Sequence, residues 1–252
     1  MIKLYAMTCG WITMGLGGLL RGEEGRLKIP VPCYLIEHPK GRALFDSGLH
    51  LSMQTDADAR LGPLAPAFEI DFEPGQELAA RLDTCGTSVD EIDWLVNSHL
   101  HFDHCGGNEA VPNSPVVIQR RELNAAREPD LAARSGFFAQ DWDHGHDFVI
   151  ANGEHDLFGD GGVTCLPTYG HTPGHQSLRV RLASGDVVLT GDACYLRRTL
   201  ENMHLPGIAH SDEEMLESLR RLADLEQRGA RIFYGHDPEF WKSVPQAPLE
   251  IS

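Results

Sequence analysis

The run His99-Leu100-His101-Phe102-Asp103-His104 places four side chains able to ligate a metal within six residues. Imidazole and carboxylate together suit zinc and other divalent first-row ions. A helix would disperse these side chains around its axis, whereas a loop obeys no single side-chain period. The run sits where a loop is expected, after the strand-like Asp93-Trp94-Leu95-Val96-Asn97 and before the turn-forming Gly106-Gly107-Asn108. Three more candidates stand in similar settings: His171 in Tyr169-Gly170-His171-Thr172-Pro173-Gly174-His175, Asp192 in Leu189-Thr190-Gly191-Asp192, and His236 in Phe233-Tyr234-Gly235-His236-Asp237. Each follows an apolar run and is bracketed by glycine or proline. A single histidine is more often packed or solvated than metal-bound; recurrence at several strand ends is what points to a metal centre.

Other residues of the same types give weaker signals. His175 is expected to brace its loop rather than ligate. His144, His146 and His155 lie among Asp141, Asp143, Asp147 and Asp156, which reads as a hydrated loop, with an accessory metal patch as the alternative. Cys105 and Cys194 flank candidate ligands but suit small buried apolar roles better than nucleophilic ones.

The elements that must position these residues are mostly strands. Short β-rich runs occur at Lys3 to Met7, Val31 to Ile36, Arg42 to Phe45, Trp94 to Asn97, Pro115 to Gln119, Leu178 to Leu182, Val187 to Thr190 and Arg231 to Tyr234. The clearest helix spans Asp212 to Arg228, with Met215, Leu216, Leu219, Leu222 and Leu225 on one face, a capping box from Ser211 and Glu214, and a stop at Gly229. Shorter helices are expected over Gln76 to Leu82 and Arg121 to Arg127. Gly136 to Asp156 reads as a surface excursion. No repeat and no shift in composition marks a linker, so 1–252 is expected to form one α/β (α+β) domain.

With 42% hydrophobic and 23% charged residues the chain can bury a large core without staples. A formal net charge of −16, from 37 acidic against 21 basic residues, argues against nucleic acid and against an anionic membrane surface. Six scattered cysteines with no CxxC pair suggest reduced thiols and a cytoplasmic protein. The uncharged stretch Leu4 to Leu20 is interrupted by glycines and followed by no A-x-A site, against a signal peptide. No other stretch approaches the ~20 apolar residues of a membrane helix. Charge and composition leave oligomeric state open between monomer and homodimer.

Taken together, the histidine and aspartate motifs resemble the metallo-β-lactamase superfamily over nearly the whole chain, including Phe45-Asp46-Ser47-Gly48. The resemblance implies a four-layer αββα sandwich. It makes His99, His101 and His171 ligands of one metal, Asp103, His104 and His236 ligands of a second, and Asp192 the bridge between them. The ions expected are two divalent cations, zinc first, with cobalt, manganese or iron able to occupy the same donors. Finer likeness is to N-acyl homoserine lactonases: Pro30 to Glu37, Ser98 to Asn108, Thr172 to Leu178, and Asp192-Ala193-Cys194-Tyr195. By that likeness a hydroxide held between the metals opens the lactone ring, Tyr195 contacts the substrate carbonyl, and Asp103 both ligates and shuttles a proton. Phe102 is a candidate substrate contact. Trp11 to Leu20 or Leu61 to Phe72 are candidate walls for the acyl chain.

Other readings of the same residues remain. Asn97-Ser98-His99 and Cys105-Gly106-Gly107-Asn108 also look like 4-pyridoxolactonase. Thioester and phosphodiester hydrolases of the superfamily share the ligands but ordinarily bring basic groups for anionic substrates. From a different class, a non-catalytic metal-holding module is conceivable, and failure to bind two metals would favour it.

Overall fold

The computed structural model describes residues 1–252. Seven strands form one sheet: β1 (Lys3–Gly15), β2 (Arg26–His38), β3 (Gly41–Phe45), β4 (Phe68–Asp71), β5 (Trp94–Val96), β6 (Val116–Gln119) and β7 (Phe148–Ala151). Their order is β4-β1-β2-β3-β5-β6-β7, antiparallel from β4 to β3 and parallel from β3 to β7. The second sheet has the order β12-β11-β10-β9-β8, made of β8 (His155–Asp156), β9 (Val163–Pro167), β10 (Gln176–Leu182), β11 (Gly185–Leu189) and β12 (Arg231–Phe233).

Alternation along the strands builds the layers. On β2, Tyr34 and Ile36 point to one side with Phe45, Val96 and Val117, and there meet Cys165, Leu178, Val180, Val187 and Phe233 of the second sheet. Cys33 and Leu35 point to the other side, where Leu78 and Leu82 of helix 78–84, Leu123 of helix 120–127 and Trp142 of helix 139–142 cover the sheet. Val188 and Ile232 on the outer face of the second sheet are covered by Leu219 and Leu222 of helix 212–227. The result is helix, sheet, sheet, helix, the four-layer αββα sandwich expected.

Several local expectations change. β1 continues to Gly15 because Gly10, which looks like a break in sequence, is the bulge at the register shift between Thr8 and Trp11, with φ of +110°. The segment from Gly136 to Asp156 is no surface excursion: it supplies β7 and β8 and buries Phe137, Asp141, Trp142 and His146. Its carboxylates and histidines masked a short strand that pairs with β6. β9 is the apolar run expected before His171, which the sequence left without bounds. The capping box at Ser211 is half formed, since the Ser211 hydroxyl accepts from the Glu214 N–H while the Glu214 carboxylate turns to Arg121 at 2.8 Å. No helix is long and apolar enough to cross a membrane, and all six cysteines are free.

Candidate metal centre and substrate cavity

β9, β11 and β12 run in one direction, with β10 reversed between β9 and β11. The loops that leave their C-terminal ends therefore emerge on one edge of the sandwich. These loops carry His171, Asp192 and His236; the loop after β5 carries His99 and His101, and Asp103 and His104 stand on a single helical turn, Phe102–Cys105, where a loop was expected, a turn too short to disperse them around its axis. Two groups of potential ligand atoms result, His99 with His101, His171 and Asp192, and Asp103 with His104 and His236, each gathered within 4.8 Å. The seven residues named from sequence as metal ligands thus come together.

The donor atoms fit divalent cations. Nitrogens about 2.0–2.1 Å from a tetrahedral ion stand about 3.3 Å from one another. Here His171 Nε2 lies 3.2 Å from His99 Nε2 and 3.0 Å from His101 Nδ1, and the latter two are 2.9 Å apart. In the other group His104 Nε2 and His236 Nε2 are 3.3 Å apart. Asp192 spans the groups, with Oδ2 at 3.3 Å from His171 Nε2 and Oδ1 at 3.0 Å from His236 Nε2 and 3.2 Å from His104 Nε2.

The opposite ring nitrogens fix which atoms face inward. His101 Nε2 donates to the Ser135 carbonyl at 2.7 Å, His236 Nδ1 to the Pro30 carbonyl at 2.7 Å, and His104 Nδ1 to the Asp46 carboxylate at 2.9 Å. His99 Nδ1 meets the Ser98 hydroxyl at 2.9 Å, which in turn donates to Asp46 at 2.8 Å. Each imidazole so oriented, once neutral, presents a lone pair to the centre. Buried Asp192 Oδ1 consequently has no hydrogen-bond donor, an orphaned acceptor that a cation would satisfy. Burial holds the His99, His101 and His171 rings below the usual histidine range, so they are neutral and suited to ligation. Burial opposes charge on His104 too, but Asp192, Asp103 and Asp46 outweigh it and lift this ring well above its ordinary value.

His175 is a brace, as expected. Its Nε2 accepts the Asp192 backbone N–H at 3.0 Å, and burial pushes its pKa down to about 3. His144, His146 and His155 do not converge into a ligand group; His146 bonds the Val111 carbonyl and His155 lies on β8.

A cavity of about 200 Å³ opens over the centre, reached by His101, Asp103, His171, Asp192 and His236. Its remaining wall is mostly apolar, with Ile12 and Met14 of β1, Ile29 of β2, Leu64, Phe68 and Phe102, and Arg134 and Ser135 as its polar members. Phe102 meets Phe68 edge to face at 5.3 Å. Both candidate wall segments contribute, but Gly17 does not reach the cavity. Tyr195 also lines it, stacked on His236 at 5.8 Å with its hydroxyl 3.1 Å from His171 Nδ1. Burial, with Asp192 and Asp103, holds its phenol well above the usual range, so it is protonated and able to donate.

Residues 27–236 match the model of the metallo-beta-lactamase superfamily. The chain belongs to that superfamily. Among its members, N-acyl homoserine lactonase AttM of Azorhizobium caulinodans is 33% identical over 256 aligned positions, covering 98% of this chain and 97% of that protein. N-acyl homoserine lactonase AiiA of Bacillus thuringiensis subsp. kurstaki is 33% identical over 228, covering 89% and 88%. A solved N-acyl homoserine lactone hydrolase with N-hexanoyl-L-homoserine at its catalytic metal centre superposes with a TM-score of 0.88 at 31% identity, over 99% of this chain and 98% of that one. AidC, a dizinc quorum-quenching lactonase, shares the superfamily fold with a TM-score of 0.71 at 16% identity, over 99% and 92%.

Residues around the superfamily motif escaped the sequence reading as functional groups. Asp46 joins His104 to Ser98 and adopts a φ of +60°, uncommon for a residue with a side chain. Its signal was the Asp-Ser-Gly that follows β3. Glu122 lies in a run of charged residues that reads as solvated helix, and nothing local marks it as buried.

Proposed function

We infer that the chain hydrolyses the ring ester of N-acyl homoserine lactones, as a hydrolase dependent on two divalent metals. The observation that carries this reading is the meeting of an Asp192-bridged pair of ligand groups with an apolar cavity at the same strand ends. The near full-length relatives named for this activity support it. His99, His101 and His171 would hold one cation and Asp103, His104 and His236 the other, with Asp192 shared; zinc suits this donor set. When bound, such ions polarise an ester carbonyl and make water acidic enough to act as a nucleophile near neutral pH.

The chain's own residues do the rest. Ile12, Met14, Leu64, Phe68 and Phe102 offer an acyl chain a surface away from water. That lining suits an aliphatic tail, and Arg134 is the one arginine or lysine among the lining residues. The Tyr195 hydroxyl, protonated and facing the cavity, donates to the carbonyl oxygen as negative charge develops there. Asp103 lines the cavity beside the ligands as a carboxylate, and can take the proton released by the attacking water and pass it to the departing alkoxide.

Mass spectrometry of N-hexanoyl and N-decanoyl homoserine lactone incubated with zinc-loaded protein tests the reading. The expected result is gain of one water, abolished in His101→Ala. No turnover by protein shown to hold two metals would refute the substrate assignment.

A further inference from the structure

Glu122 is completely buried, 0% exposed, and none of the ion pairs in the structure includes it. Leaving a carboxylate in such surroundings is costly unless hydrogen bonds replace its water. Three donors do so. Oε1 accepts the Leu100 N–H at 3.1 Å, while Oε2 accepts the Gly174 N–H at 2.7 Å and the Thr172 hydroxyl at 2.8 Å. The loop is pressed tightly on the helix that carries Glu122: a Cβ on Gly174 would lie 2.2 Å from the Glu122 nitrogen.

The positions of the three donors are informative. Leu100 lies between His99 and His101, and Thr172 follows His171. One carboxylate therefore holds the two loops whose imidazoles converge within 3.2 Å of one another. None of its hydrogen bonds goes to a residue adjacent to His104, His236 or Asp192. Burial lifts the Glu122 pKa to about 7 against the pull of its three donors and of the nearby Arg121 charge.

We propose that Glu122 is a positioning residue that sets the spacing of the His99, His101 and His171 nitrogens, and so governs cation binding at that half of the centre in preference to the other. The inference rests on the two-metal reading above. An amide in its place keeps the shape but turns N–H groups toward Gly174 and Thr172 or toward Leu100, which releases one loop. Outer partners of metal ligands are worth about 10–100-fold in metal affinity or activity.

The test is titration of chelator-stripped protein with cadmium, followed by ¹¹³Cd NMR and by zinc affinity, for the wild type, Glu122→Gln and the milder Thr172→Val. In Glu122→Gln, one of the two cadmium resonances should move or broaden while the other keeps its place. One zinc affinity should fall about 10–100-fold, and kcat should fall with KM nearly unchanged. Thr172→Val, which removes one of the three hydrogen bonds, should shift the same resonance by less, and covers the case in which Glu122→Gln does not fold. Two unmoved resonances, or equal disturbance of both, would overturn the proposal. A wild type that binds fewer than two cadmium ions would instead overturn the two-metal reading, so the two failures are distinct.

Discussion

Asp103 faces two demands, one from the cation shared with His104 and His236 and one from the substrate. Its Oδ2 lies 3.4 Å from His104 Nε2 and 3.6 Å from His236 Nε2, and a single oxygen suffices for ligation, so the carboxylate retains an oxygen for proton transfer. Asp103→Asn keeps an oxygen for the metal and loses the proton carrier. Steady-state assays should show kcat reduced about 100- to 1,000-fold with metal still bound; full activity would exclude the shuttle. Tyr195 is one donor among several stabilising influences, so Tyr195→Phe should lower kcat by less than Asp103→Asn does. An unchanged kcat/KM would remove the phenol from the mechanism.

Among the elements, β1 has a double use, since its C-terminal half extends past the bulge at Gly10 to line the cavity with Ile12 and Met14. A Trp in place of Met14 should shorten the preferred acyl chain, read as the ratio of kcat/KM for hexanoyl over decanoyl substrates, whereas bulk at Gly17 should leave that ratio alone. The segment containing β7 is anchored by Arg60, whose guanidinium reaches the buried Asp141 carboxylate at 2.6 Å and 3.0 Å. Burial raises the Asp141 pKa above its ordinary 3.8 while Arg60 pulls it down. Arg60→Ala leaves that charge unpaired and should cost about 3 kcal/mol in urea unfolding at neutral pH. A folded-state pKa above the unfolded one means stability is present in acid and is lost as pH rises through the folded value. The Arg60→Ala deficit should therefore be larger at pH 8 than at pH 5, and adding Asp141→Asn should recover most of it. A deficit independent of pH would show that packing, not charge, was lost.

At the scale of the molecule, the ligands come from loops on both sheets, so bound cations join the two halves of the sandwich. A ligand at 1,000 times its dissociation constant stabilises the folded state by about 4 kcal/mol. For a chain of this size about 2–4 °C in Tm accompanies each kcal/mol. Stripping both cations should then lower Tm by at least about 10 °C in calorimetry, with recovery on adding zinc. A Tm indifferent to verified stripping would mean that the site is formed equally well without metal.

The sequence alone determined the parts whose signal is local. Histidine and aspartate at strand ends, glycine beside them, and the 3.6-residue pattern of helix 212–227 are legible because ligand chemistry and helix amphipathicity are written in near neighbours. Tertiary structure decided what depends on partners distant in the chain. Glu122 looks solvated until the loops at Leu100 and Gly174 fold over it. Asp141 looks like part of a hydrated loop until Arg60 meets it. β7 is short and flanked by charge, and becomes a strand because β6 offers it an edge. The cavity wall, drawn from β1, β2 and the 64–68 region, has no linear motif, since apolar residues that line a cavity and those that fill a core carry the same hydrophobic pattern until the fold decides which of them face the metal centre.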